Sequence, residues 1–174
     1  MQHFIFDLDD TIIMHHNDIH YPYIREDEWL THYIKAVQDK GKLYVFTNGT
    51  YGHAKTILDK MKLTTYFSGI YTRDLFGEAN MKPALISYLM VENNILGIKP
   101  TDDIEAQQVA RQGHTMYFFD DRLENLHIAK GRFGWKTIWI HREWERISEF
   151  PYVDYSYPRI HTALDYLSKG FMRV

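Results

Sequence analysis

Five short apolar runs of strand character, separated by segments of helical periodicity, constrain the fold of this chain more than any other feature. They are residues 3–8, 42–47, 69–72, 115–120 and 136–141. Between the first two, Leu30, Tyr33, Ile34 and Val37 recur at the spacing of one helix face within 27–39. Ala54, Ile57, Leu58 and Met61 repeat that pattern within 53–62. A third helix is expected to open at Pro83 and to turn Leu85, Ile86 and Leu89 inward, with further helices over 102–112 and 123–132. Residues 152–157 read as a sixth, edge strand, followed by a helix that opens at Pro158 and runs to Lys169. Strands that alternate with helices make a parallel sheet covered on both faces. The expected fold class is therefore α/β: a three-layer, doubly wound, Rossmann-like parallel sheet. With 174 residues, no internal repeat and no linker-like stretch, the chain reads as one domain over 1–174.

Composition narrows the chemistry. At 45% apolar and 25% charged residues the chain is ordinary globular material, which excludes disordered and collagen-like classes. The absence of cysteine removes disulfides, thiolate metal sites and cysteine nucleophiles together, so any metal must rest on oxygen or imidazole ligands. Twenty basic against 23 acidic residues give a net charge of −3, too little positive field to gather nucleic acid. No stretch approaches the roughly 20 apolar residues that cross a bilayer. An acidic motif that begins at Asp7 leaves no space for a cleavable signal peptide, and the expected setting is cytoplasmic, away from membranes.

The first apolar run ends Phe6-Asp7-Leu8-Asp9-Asp10-Thr11. Carboxylates at i and i+2 of an extended chain share a side, so Asp7 and Asp9 are expected to converge while Asp10 faces away. Carboxylates delivered by an apolar strand are costly unless a cation or proton compensates them, although the same residues also suit a helix cap or a surface turn. The second run ends Phe46-Thr47-Asn48-Gly49-Thr50, a hydroxyl and a turn-forming pair that offer donors to a phosphate, or simply a turn. Lys82 stands before the helix that Pro83 opens; the macrodipole disfavours a cation there, which points to a nearby anion or else to a solvated loop. The fourth run ends Phe119-Asp120-Asp121-Arg122. Hard oxygen ligands gathered from two strand ends suit Mg²⁺, which takes one or two carboxylates, water and a substrate phosphate.

In this order the residues resemble the haloacid dehalogenase-like (HAD) hydrolase superfamily, whose phosphatases carry D-x-D-x-T after strand one, Ser/Thr after strand two, a lysine near a helix start and an acidic pair after strand four. Asp7–Thr11, Thr47, Lys82 and Asp120-Asp121 match these motifs. The second half is similar to the pyrimidine 5'-nucleotidase branch and to the capless magnesium-dependent phosphatases. The resemblance implies that Asp7 is the nucleophile of a phosphomonoester hydrolase, forming an aspartyl-phosphate, and that Asp9 is the general acid and base. It implies Mg²⁺ held by Asp7, the Asp9 main-chain carbonyl and the acidic pair, with Asp121 as direct ligand and Asp120 behind it. Thr47, Lys82 and Asn48 would bind phosphoryl oxygens. Arg122 reads as a surface arginine.

The spaces between these motifs are too short for the cap domain usual in the superfamily; only residues 12–26 are left over as a substrate-facing flap. Within it, His15, His16, Tyr21 and Arg25 are candidates for substrate selection, beside a structural role in packing the loop. Trp139, His141 and Trp144 read as exposed residues of strand five and its edge. A small phosphorylated substrate such as a nucleotide is expected, with a phosphoprotein or nucleic-acid end as the alternative. A receiver-type signalling module fits less well because its Lys-Pro lies on the last strand, and an idle scaffold would have lost a motif residue.

Overall fold

The computed structural model describes residues 1–15, 21–101, 103–170 and 172. Six strands, β1 (Gln2–Phe6), β2 (Lys42–Phe46), β3 (Phe67–Tyr71), β4 (Thr115–Asp120), β5 (Lys136–Ile140) and β6 (Tyr155–Tyr157), form one sheet in the order β3-β2-β1-β4-β5-β6. Every pairing in it is parallel. Among the described residues, seven α-helices connect and cover the strands: α1 (Glu28–Gln38), α2 (Tyr51–Lys60), α3 (Arg73–Phe76), α4 (Leu85–Leu96), α5 (Ile104–Arg111), α6 (Leu123–Phe133) and α7 (Ile160–Ser168).

Side chains alternate across the strands and so feed two cores. Phe4, Phe6, Leu43, Val45, Tyr117 and Phe119 meet Leu30, Ile34, Ile57 and Leu164 from α1, α2 and α7. Ile5, Tyr44, Phe46, Met116 and Phe118 meet Tyr88, Val91, Leu126 and Phe133 from α4 and α6. The Phe6 and Phe119 rings stack at 4.6 Å across the β1–β4 pair directly beneath the strand ends. Truncating either to alanine costs about 3–5 kcal/mol, so the platform that carries both acidic strand ends is stiff. Local signals set the helix starts: Asp27 accepts from the Leu30 N–H at 2.9 Å to cap α1, and Thr50 accepts from the His53 N–H at 3.2 Å to cap α2.

The helix after Pro83 differs from its expected orientation. It starts at Leu85 with Ala84 as cap, and Leu85 and Ile86 are exposed while Leu89 is half-buried. Ser87, Tyr88 and Val91 take the inward face, with the Tyr88 hydroxyl donating to the Asn125 carbonyl at 2.8 Å. The large aromatic and its buried hydrogen bond set the rotation of α4, overriding the aliphatic pair at its first turn. Trp139 is also buried, not exposed, on β5. Its indole N–H donates to the Asp121 carbonyl at 3.0 Å, so it supports the site from below. His141 is half-buried just past β5, and Trp144 lies in a 3-10 turn, Trp144–Glu149.

Between β1 and β2 the described residues hold only a 3-10 turn at Tyr21–Tyr23 and α1; between β3 and α4 they hold α3 and a second 3-10 turn at Glu78–Asn80. Among the described residues, neither interval contains a separate cap layer.

Candidate active site

The sheet's winding reverses between β1 and β4, and in such sheets a crevice opens at the carboxyl ends of the two strands. Phe6 pairs with Phe119, so the chain delivers Asp7 and Asp120 side by side at this point. The Asp7 N–H continues the ladder to the Phe119 carbonyl at 2.9 Å. Both carboxylates are buried. Lys82 reaches between them, its side chain 1% exposed, donating to Asp7 Oδ1 at 2.9 Å, Asp120 Oδ2 at 2.9 Å and the Phe46 carbonyl at 2.8 Å. Its Nζ also lies over the Phe46 and Phe118 rings.

The anion beside Lys82 is thus the protein's own pair of carboxylates, and a solvated loop position is ruled out by its burial. All three ammonium donors are occupied in this arrangement. Lys82 neutralises and orients Asp7. Asn48 holds Lys82 in turn: its side-chain amide donates to the Lys82 carbonyl at 2.9 Å and accepts from the Lys82 N–H at 2.8 Å. Asn48 thus clamps the main chain of Lys82 while lining the same cavity.

Asp120 is held by Lys82, by the Asn125 side-chain amide at 3.1 Å and by the Arg122 N–H at 2.8 Å. Asp121 faces the opening. It lines a cavity of about 180 Å³ with Asp7, Asp9, Asp10, Thr47 and Lys82. Asp10 does not face away: the chain leaves the extended conformation there, with φ 60°, and its carboxylate accepts from the His15 N–H at 3.0 Å. Thr11 donates to Asp7 Oδ2 at 3.1 Å, and Thr47 Oγ1 accepts from the Gly49 N–H at 3.0 Å. The Arg122 side chain is 67% exposed, 3.7 Å from Glu124.

Three carboxylates against one ammonium leave the cluster short of positive charge. Burial, then the neighbouring Asp120, push the Asp7 carboxyl up to about 6 despite Lys82. Burial, then Asp120 and Asp7, push Asp121 up to about 8. Burial also works against the charge of Lys82, but Asp120 and Asp7 outweigh it and hold the ammonium above its usual range. Oxygens of Asp7, Asp120 and Asp121 lie within 4.8 Å of one another, and the buried Asn125 Oδ1 beside them has no hydrogen-bond partner. An all-oxygen set with uncompensated negative charge and an orphaned carbonyl oxygen fits a hard divalent cation.

Asp9 lies in a second cluster. Its Oδ1 meets His15 Nε2 at 2.6 Å and His53 Nε2 at 2.8 Å, its Oδ2 meets His53 Nε2 at 3.0 Å, and the Tyr21 hydroxyl meets His53 Nδ1 at 2.6 Å. Of the flap candidates, His15 and Tyr21 therefore join the site through Asp9. Arg25 is exposed and donates to the Pro22 and Ile24 carbonyls, closing its own turn away from the acidic cavity. His16 lies outside the described residues. His53 and Asn125 were not singled out from sequence. Each sits in the first turn of the helix that follows a motif strand, and a polar residue in that first turn is the signal that finds them.

No family model matches the chain, and no curated protein matches it. Solved structures do. A HAD hydrolase of Bacillus subtilis, YfnB, determined bound to magnesium, superposes with a TM-score of 0.60 at 17% identity, covering 81% of this chain and 55% of its own. A haloacid dehalogenase-like hydrolase of Streptococcus pneumoniae gives 0.55 at 12% identity over 81% of this chain and 59% of its own. L-2-haloacid dehalogenase of Xanthobacter autotrophicus gives 0.54 at 15% identity over 79% and 59%. The chain thus has the α/β fold of HAD hydrolases and spans little more than half the length of these structures.

Proposed function

We propose that the protein is a Mg²⁺-dependent phosphomonoesterase that works through an aspartyl-phosphate on Asp7. The carrying observation is the buried Lys82 that bridges Asp7 and Asp120 beside a cavity also lined by Asp9, Asp10 and Asp121. Asp7, Asp121 and the Asp9 main-chain carbonyl would hold the ion, with Asp120 fixed behind them by its three donors. When bound, the ion offsets the charge of the acids and of the phosphate and orients the ester for in-line attack.

The Asp7 carboxylate, pinned by Lys82 and Thr11, attacks phosphorus. The bond from phosphorus to the ester oxygen breaks, and that oxygen takes a proton from Asp9. Water then attacks the phosphorus of the aspartyl-phosphate and gives its proton to Asp9, releasing inorganic phosphate and restoring Asp7. Thr47, at the end of β2, offers its hydroxyl to a phosphoryl oxygen. With no cap layer among the described residues, the cavity suits a small ester or a larger phosphorylated surface.

The test is phosphate release from p-nitrophenyl phosphate and from a panel of nucleoside monophosphates, sugar phosphates, phosphopeptides and 3'-phosphorylated oligonucleotides. Turnover that requires Mg²⁺ and stops with chelator is expected. Release from no substrate, or full rates in excess chelator, would overturn the proposal.

A further inference from the structure

We propose that His53 is a positioning residue that fixes the orientation of the Asp9 carboxyl group for proton transfer, with Tyr21 setting the orientation of His53. This rests on the reading of Asp9 as general acid and base. His53 stands at the third position of α2, where the Thr50 cap on its N–H fixes the start of the helix, and its side chain is 14% exposed. From there Nε2 meets both Asp9 oxygens, and Nδ1 meets the Tyr21 hydroxyl at 2.6 Å. A neutral imidazole that carries its proton on Nε2 satisfies both ends: it accepts from the tyrosine and donates to the acid.

His15 Nε2 adds a contact to the same Oδ1 at 2.6 Å. Oδ1 is therefore held by two ring nitrogens, an arrangement that serves a carboxylate and the carbonyl oxygen of a carboxylic acid equally. Oδ2 has the longer His53 contact, 3.0 Å, and is the oxygen assigned the transferable proton; it lies on the Gly49 side, where Thr47 also stands: a Cβ built at Gly49 would fall 3.7 Å from Oδ2 and 3.4 Å from Thr47 Oγ1. The same Cβ would fall 2.8 Å from the His53 ring. Glycine at 49 thus leaves the space through which the imidazole reaches Asp9.

A residue that aligns a general acid acts on poor leaving groups and spares good ones. The experiment compares kcat/KM, which reports the step that expels the leaving group, for glycerol 2-phosphate and p-nitrophenyl phosphate. His53→Ala is expected to lower kcat/KM about 100-fold for the alkyl ester and less than about 5-fold for the aryl ester. His53→Gln, which keeps an N–H donor of similar reach, should restore most of the alkyl-ester rate. Tyr21→Phe, which removes one hydroxyl, should show the same asymmetry at about 5-fold, and it carries the test if the alanine variant does not fold. Equal losses on both esters, or no recovery with glutamine, would overturn the role of His53 and leave the phosphatase reading standing. If glycerol 2-phosphate is not turned over, the alkyl ester of the panel with the highest rate takes its place, and a wild-type protein that hydrolyses no ester of the panel would overturn both.

Discussion

Strand β1 buries a titratable side chain at each end, and the two ends solve that problem differently. At the amino end His3 is buried, its Nε2 2.9 Å from His114 Nδ1, with the Tyr44 hydroxyl 3.4 Å from its other ring nitrogen. Burial, then the neighbouring His114, push its pKa down to about 4. It is neutral at physiological pH, and the cluster needs nothing from outside. At the carboxyl end Asp7 faces Asp120 and Asp121 with one lysine among them, and two of these carboxyls are pushed up to about 6 and about 8. The difference separates structural from functional burial: neutral polar groups that satisfy one another close a core, whereas charge in excess of its partners marks a place where a cation and a substrate complete the set.

The largest expected break in this comparison is Lys82→Met. It removes the one cation between two buried carboxylates and is expected to cost about 3 kcal/mol of stability. Hydrolysis should fall about 10³-fold as Asp7 loses its orientation. Chemical denaturation and steady-state rates check both, and a variant that keeps wild-type turnover would remove Lys82 from the account.

A second expectation concerns pH, where the two ends carry opposite signs. The lowered His3 pKa means that the folded chain binds fewer protons there than the unfolded chain, so this end gains stability as pH rises from about 4 to 6.5. The raised Asp7 and Asp121 values mean that the folded chain binds more protons, so that end loses stability as pH rises from about 4 to 8. Above pH 6.5 only the acidic end contributes. Without divalent cation the melting temperature should fall between about pH 6.5 and 8, and Asp121→Asn or added Mg²⁺ should flatten that fall. A melting temperature that rises over this window would contradict the charge imbalance.

The smallest effect belongs to the amino end. His3→Gln should cost about 1 kcal/mol through the lost hydrogen bonds, with turnover within about 2-fold of wild type because nothing at that edge touches the cavity. Loss of activity without loss of stability would break the division between the two ends.

The layers and the grouping of Asp7, Asp9, Thr47, Lys82, Asp120 and Asp121 at one sheet edge were legible because strand-end placement is written in the local pattern: an apolar run that stops at a charge. What local pattern does not carry is the partner across the fold. Asn48 clamps the main chain of Lys82 across 34 positions of sequence, a contact that its place at a strand end does not announce. His53 meets Asp9 from 44 positions away. The orientation of α4 was missed for the same reason, since the bond from Tyr88 to Asn125 outweighs an aliphatic pair that looks apolar in isolation.

The most direct measurement is chemical trapping of the nucleophile. Protein quenched in acid during turnover of p-nitrophenyl phosphate with Mg²⁺, then reduced with tritiated borohydride and mapped by peptide mass spectrometry, should carry the label at Asp7, and Asp7→Asn should carry none and hydrolyse nothing. Turnover with no label at Asp7, or with label on another residue, would contradict the assignment of the buried, lysine-bridged carboxylate as the group that takes the phosphoryl.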